Sequence, residues 1–196
     1  AAERAARLAG EMLAYSGRGR FLTEPVDLST LVGEMVNLLR VSISKNAVLE
    51  QNLARGLPAI EADVAQLNQT VMNLITNASE ALGNENGVVA ISTGVIECDR
   101  AYLDASDLAF QASRDDPLPE GRYVYLEVAD TGCGMDAETR GRVFDPFFTT
   151  KRTGRGLGMA AVLGIVRGHR GAIRLDTEPG RGTTFRVLFP AAGDVS

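Results

Sequence analysis

The segment from Asp63 to Leu82 places the tightest limits on the fold. Val64, Leu67, Val71, Leu74, Ile75, Ala78 and Leu82 recur at helical spacing, which predicts a long helix with one face against a core. Asp63 followed by Gln66 fits the Asp/Gln form of a capping box at its start. Gln69, Asn73 and Asn77 stand at i, i+4 and i+8, so their side chains stack along one ridge. Amides are mediocre residues in mid-helix and need partners for both ends when buried. A solvated polar face explains such a ridge in most helices. Here Val71, Met72, Leu74, Ile75 and Ala78 surround it. Amide oxygens aligned in apolar surroundings suit a hard cation that keeps part of its water, such as Mg²⁺.

The remaining pattern alternates helix and strand. Asp27 is a candidate N-cap for an earlier helix whose buried face is Leu28, Leu31, Val32, Met35, Leu38 and Leu39. Val48–Leu53 alternates weakly, Val88–Ile96 and Tyr123–Ala129 read as strands, and a helix over about 157–169 precedes strands over roughly 171–177 and 183–189. Pro58-Ala59-Ile60 reads as a lead into the long helix. Residues 97–119 are polar, acidic and proline-containing, an insertion loop with room for a short helix. Ala5, Leu8, Met12 and Tyr15 give residues 1–16 a helical stripe, too short to stand without a partner helix. The fold class that follows is α/β, a two-layer sandwich with helices over one face of a mixed sheet.

Three glycine-bearing motifs and an aromatic one follow the long helix. Asp130-Thr131-Gly132-Cys133-Gly134-Met135 leaves the end of a strand. An Asp there can accept a hydrogen bond from an exocyclic amino group, and glycines let a flat ring approach the backbone, though an ordinary Asp-Gly turn would look the same. Gly154-Arg155-Gly156-Leu157-Gly158 opens a helix, where backbone N–H groups and the helix dipole favour an anion. Its spacing is not that of a dinucleotide fingerprint, and no Walker A loop occurs in the chain. Thr149, Thr150, Lys151, Arg152 and Arg155 add hydroxyls and positive charge beside it. Phe144-Asp145-Pro146-Phe147-Phe148 puts three aromatics into a polar stretch, as the anchors of a long loop or lid would be. Gly180-Arg181-Gly182-Thr183-Thr184-Phe185 turns into the last strand.

In this order and spacing, over about residues 27–190, the motifs resemble the ATP-binding domain of sensor histidine kinases, with the Bergerat ATP-binding fold. The insertion and Phe147-Phe148-Thr149-Thr150-Lys151 look most like the PAS-linked hybrid branch. The resemblance implies ATP and Mg²⁺ as cofactors. Carried over residue by residue, it implies Asn77 as the metal ligand and Asn73 one turn earlier, facing the phosphates. It implies Asp130 on the adenine amino group, Gly132 and Gly134 as the bed of the ring, and Thr183 beside Asp130. Phe144, Phe147 and Phe148 would hold the lid, about residues 136–155. Gly154, Gly156, Leu157 and Gly158 would meet the phosphates, with Thr150, Lys151 and Arg155 as further phosphate contacts. Ser79 stands where that branch often carries a basic residue. Residues 1–20 resemble the end of a dimerisation helix preceding a catalytic domain at 21–196. The implied partners are a dimerisation and histidine phosphotransfer domain of the same protein, a response regulator receiver domain, and a second copy in a homodimer.

Composition narrows the alternatives. A net charge of −5 with mixed signs gives no basic footprint for nucleic acid. No apolar run approaches the length of a membrane span, and two distant cysteines, Cys98 and Cys133, suggest reduced thiols in a cytoplasmic protein. Two other readings remain: an ATP-hydrolysing clamp of the same superfamily, and a non-catalytic nucleotide-binding module. The clamp enzymes place a Glu where Asn73 stands, and an amide is no general base near neutral pH. The only histidine, His169, lies eleven residues beyond Gly158, about 16 Å along a helix at 1.5 Å per residue. The spacing therefore keeps His169 from the phosphates and leaves it as a capping or packing residue, and the resemblance implies a phospho-accepting histidine on the first dimerisation helix, outside this sequence.

Overall fold

The computed structural model describes residues 22–40, 43, 46–104, 108–110, 117–151, 154 and 156–193. The helix expected over 1–16, and Arg152 and Arg155, lie outside the described residues. The strands are β1 (Glu24–Val26), β2 (Ala47–Leu53), β3 (Ile60–Ala62), β4 (Gly87–Cys98), β5 (Leu108–Phe110), β6 (Gly121–Asp130), β7 (Ala172–Glu178) and β8 (Gly182–Pro190). The helices are α1 (Leu28–Leu39), α2 (Val64–Ala81), α3 (Arg100–Leu103), α4 (Ala137–Arg142) and α5 (Gly158–Gly168). A six-stranded sheet has the order β2-β4-β6-β8-β7-β5, with β2 parallel to β4 and every other pairing antiparallel. The α/β sandwich with a mixed sheet is therefore present.

The apolar stripes read from sequence become the core, except that in α1 Leu38 is 71% exposed and Val36 is buried instead. Leu28, Leu31, Val32 and Val36 of α1, Leu67, Val71, Leu74 and Ile75 of α2, and Met159, Val162 and Val166 of α5 pack on one face of the sheet. They meet Val89 and Ile91, Val124, Leu126 and Val128, and Phe185, Val187 and Phe189 from the central strands. Each such side chain, fully buried, is worth about 1.5–3 kcal/mol of transfer free energy. Both expected N-caps are made: Asp27 accepts from the Thr30 amide at 3.0 Å and Asp63 from the Gln66 amide at 3.1 Å.

Two parts differ from the sequence expectation. Pro58-Ala59-Ile60 does not run straight into the helix. Ile60–Ala62 forms β3, antiparallel to β1, with Val26 opposite Ile60. The two strands lead into Asp27 and Asp63, the N-caps of α1 and α2, at opposite ends of this ribbon. The insertion 97–119 is not only loop. Its α3 and Leu118 cover the other face of the sheet, where Cys98, Leu103, Tyr123, Ala172 and Leu188 form a second, smaller core. Its β5 pairs with β7 as the edge strand.

Candidate functional site

Helix α2 presents Asn73 and Asn77, both half-buried, to a cleft of about 730 Å³. The opposite wall is the start of α5, with Gly156, Leu157 and Gly158, and the rim is the segment Thr149–Lys151 with Gly154. Asn73 Nδ2 donates to the Gly158 carbonyl at 3.1 Å, locking the two helices together at the site. No side chain caps the start of α5, so the first-turn N–H groups have no side-chain acceptor there. Gln69, the first amide of the ridge, does not line the cleft.

Asp130 is the last residue of β6 and is paired in register with Thr183 of β8. It is buried, and its Oδ1 accepts from the Gly132 amide at 2.8 Å. Burial pushes the Asp130 carboxyl up from its ordinary value; amide bonds from Gly132 and Thr183 and the charge of Lys151 pull the other way. Thr183 and Gly134 line the cleft, whereas Asp130 and Gly132 sit just behind that lining. The glycines are demanded by packing as well as by any ring. A Cβ on Gly132 would stand 2.5 Å from the Ala81 carbonyl oxygen, and one on Gly134, at φ 64°, would run into the Glu178 carbonyl.

The lid is held unevenly. Phe144 packs on the core and meets Phe185 edge-to-face at 6.2 Å, so it anchors the segment without lining the cleft. Phe148 lines the cleft, with the Arg142 guanidinium 4.3 Å from its ring centre. Phe147 is not an anchor: it is 64% exposed at φ 67°. Helix α4 buries no residue. Lys151 reaches back across the cleft, its Nζ 2.7 Å from Asn77 Oδ1 and 2.6 Å from Glu80 Oε2.

Thus the structure brings Asn73, Asn77, Gly134, Thr150, Lys151, Gly154, Gly156, Leu157, Gly158 and Thr183 to one cleft. Residues that motif reading passed over, Met72, Thr76, Glu80, Met135 and Thr139, also line it. Glu80 had a signal: it lies seven residues after Asn73, two turns along the same ridge. Ser79 is buried and outside the cleft lining. His169 is remote from this lining and buried. Its Nε2 accepts from the Asp63 amide at 3.0 Å, so the proton resides on Nδ1, which donates to the Ile165 carbonyl at 2.8 Å. That histidine takes the place of the reciprocal half of the capping box, and Gln66 Oε1 is left buried without a partner.

The model of the histidine kinase-, DNA gyrase B- and HSP90-like ATPases matches residues 62–193. The chain belongs to this family. The matched span starts just before α2 and ends after β8, enclosing every element that borders the cleft. Its curated relatives in the family are sensor histidine kinases. The sensor kinase CckA of Brucella abortus is 38% identical over 191 residues, covering 96% of this chain and 19% of that protein. The sensory histidine kinase/phosphatase NtrB of Rhizobium leguminosarum bv. phaseoli is 33% identical over 196 residues, covering 99% of this chain and 48% of that protein. The chain thus spans from a fifth to a half of the length of these relatives. Among solved structures, full-length ShkA in complex with AMPPNP superposes with a TM-score of 0.70 at 25% identity, over 96% of this chain and 36% of that one. The histidine kinase ThkA in complex with the response regulator TrrA gives 0.67 at 25% identity, over 97% and 48%. The family's ATP-binding fold is therefore the fold of this chain, and no helix of the described residues is long and apolar enough to cross a membrane.

Proposed function

We propose that this chain binds Mg²⁺-ATP in the cleft and donates the γ-phosphate to a histidine on a dimerisation domain of the same protein, from which a response regulator receiver domain takes it. The observation that carries the reading is the convergence of Asn73 and Asn77 on the uncapped start of α5, with the buried Asp130 carboxylate beside Thr183 at the inner end. Asp130 would accept from the adenine amino group over the bed of Gly132 and Gly134. Gly154, Gly156, Leu157 and Gly158, with Thr150 and Arg155, would hold the phosphates, and Phe144 would anchor the lid. Asn73 and Lys151 would steady the phosphoryl group in transfer. Residues 1–20 would be the end of a dimerisation helix, 21–196 the catalytic domain, and the working protein a homodimer of the PAS-linked hybrid kind. Its place would be the cytoplasm.

Oxygen donors fit the metal. Asn77 Oδ1 and Glu80 Oε2 already hold a cation, the Lys151 ammonium, in this cleft. Asn77 would hold Mg²⁺, whose role when bound is to neutralise phosphate charge. The residues themselves contribute positioning and a fixed electrostatic frame rather than proton transfer. Asn73 stands where a hydrolase of this superfamily would need a base, and its Nδ2 is committed to the Gly158 carbonyl. That favours transfer to an acceptor over hydrolysis. Calorimetric titration tests the site: one ATP per chain, with Mg²⁺ strengthening the affinity in the wild type and not in Asn77→Ala. Equal Mg²⁺ dependence in both would remove Asn77 from the metal site.

A further inference from the structure

We propose that Glu80 is a second cation-holding residue of the cleft, paired with Lys151 when nucleotide is absent and facing Mg²⁺ when Mg²⁺-ATP is bound, so that arrival of the metal releases Lys151 and the lid. The inference rests on the nucleotide reading above. Among the described residues that line the cleft, Glu80 and Lys151 are the only charged ones. They neutralise each other at 2.6 Å, and the same ammonium occupies Asn77 Oδ1 at 2.7 Å. Asn77 and Glu80 are neighbours at i and i+3 on α2, so their oxygens converge on one point above the helix. A hard cation taking that point must displace the ammonium, since two cations sharing two oxygens repel.

The displaced ammonium does not go unpaired. Metal and phosphates arrive together, and the charges exchange partners: the Glu80 carboxylate passes from ammonium to metal, directly or through a retained water, and Lys151 passes to phosphate. The exchange bears on the lid because Lys151 is a charged tether at this end, beside the bond from the Phe147 amide to the Gly156 carbonyl. Of the aromatics before it, Phe147 is exposed and Phe148 is half-buried, α4 buries nothing, and Phe144 fixes the near end. The nucleotide-free lid is thus latched onto the surface that the metal needs. ATP without metal must compete with that latch for Lys151.

Hydrogen exchange and nucleotide titration on wild type, Glu80→Gln and Glu80→Asp test the proposal. Glu80 is exposed, so these variants keep the fold. Without nucleotide, the amides of Phe147, Phe148 and Gly154, bonded to the carbonyls of Gly156 at the start of α5 and of Asp145 and Lys151 within the lid, report its opening. Glu80→Gln should speed their exchange about threefold, the range of a single exposed ion pair. It should also cut the enhancement of ATP affinity by Mg²⁺ about tenfold, as loss of a metal's supporting carboxylate does. Affinity in EDTA should stay level or rise, and Glu80→Asp should restore part of the Mg²⁺ effect. Wild-type Mg²⁺ enhancement in Glu80→Gln, or unchanged lid exchange, would overturn the proposal. A wild-type chain that binds no ATP would sink the functional reading and this inference with it, an outcome told apart by the wild-type titration alone.

Discussion

Asp130 carries opposite demands on stability and binding. Its carboxyl is pushed up by burial, so the folded chain takes its proton more readily than the unfolded chain does. The contribution of that preference to stability is complete below the unfolded value and is lost as pH rises through the folded one. Where it is ionised, the carboxylate is therefore less favourable in the nucleotide-free fold than in the unfolded chain. Asp130→Asn should hold or raise the melting temperature without nucleotide and weaken ATP binding by about 1–3 kcal/mol, because the amide is the poorer acceptor. Wild-type affinity should weaken as pH is lowered, starting above the ordinary carboxylate range because burial raises this carboxyl, and Asp130→Asn should lack that step. An Asn variant that binds ATP as well as the wild type would refute the assignment. The two thiols give a second check. Burial, then Asp99 and Glu97, push Cys98 up to about 11, and it should resist alkylation in the native state. Cys133 is exposed and lines the cleft. ATP should slow its modification by iodoacetamide, and an unchanged rate would place the nucleotide elsewhere. Asn73, Asn77 and the glycines were legible because their residue types are odd for their settings. Glu80 was less so: its place two turns beyond Asn73 is on the ridge, but an exposed Glu on a helix is ordinary until Lys151 is seen across the cleft.

At the scale of elements, the site depends on how α2 begins. β3 pairs antiparallel with β1 just before α2, and His169 at the end of α5 accepts from the Asp63 amide. One ring thus ties the far end of α5 to the start of α2, while Asn73 ties the near end of α5 to the middle of α2. His169→Leu leaves the Asp63 amide without its partner and removes the ring bond to the Ile165 carbonyl, which keeps the His169 backbone N–H. It should cost about 1–3 kcal/mol in urea unfolding, with a smaller effect on ATP affinity. An unchanged midpoint would show that the bond contributes nothing. The long elements were legible from period alone: α2 and the strands β4, β6, β7 and β8 fall within a few residues of where the pattern put them. β1, β3 and β5 were not, since three residues carry no period and a strand that short is defined by its partner. The insertion hid its structure for a further reason: α3 and Leu118 cover a second sheet face that no alternation in the insertion itself announces.

For the whole molecule, the layers assign separate work. The sheet and its helices fix Asn73, Asn77 and Asp130 in a rigid frame, whereas the segment from α4 to Lys151 is held by Val143 and Phe144 on the core, the Lys151–Glu80 pair, and bonds from Arg140 to the Leu175 carbonyl and from the Phe147 amide to the Gly156 carbonyl. Such a division suits a phosphoryl donor that must open to exchange nucleotide and close to exclude water. It leaves the chain without an acceptor of its own, for both nitrogens of His169 are engaged inside the fold. The most direct measurement is transfer of label from γ-labelled ATP with Mg²⁺, with and without a separately supplied dimerisation domain carrying its histidine. The account predicts acid-labile label on the added domain, none on this chain alone, and little ATP turnover in its absence. Label on the isolated chain that disappears in His169→Gln, or steady ATP hydrolysis with no acceptor present, would contradict it.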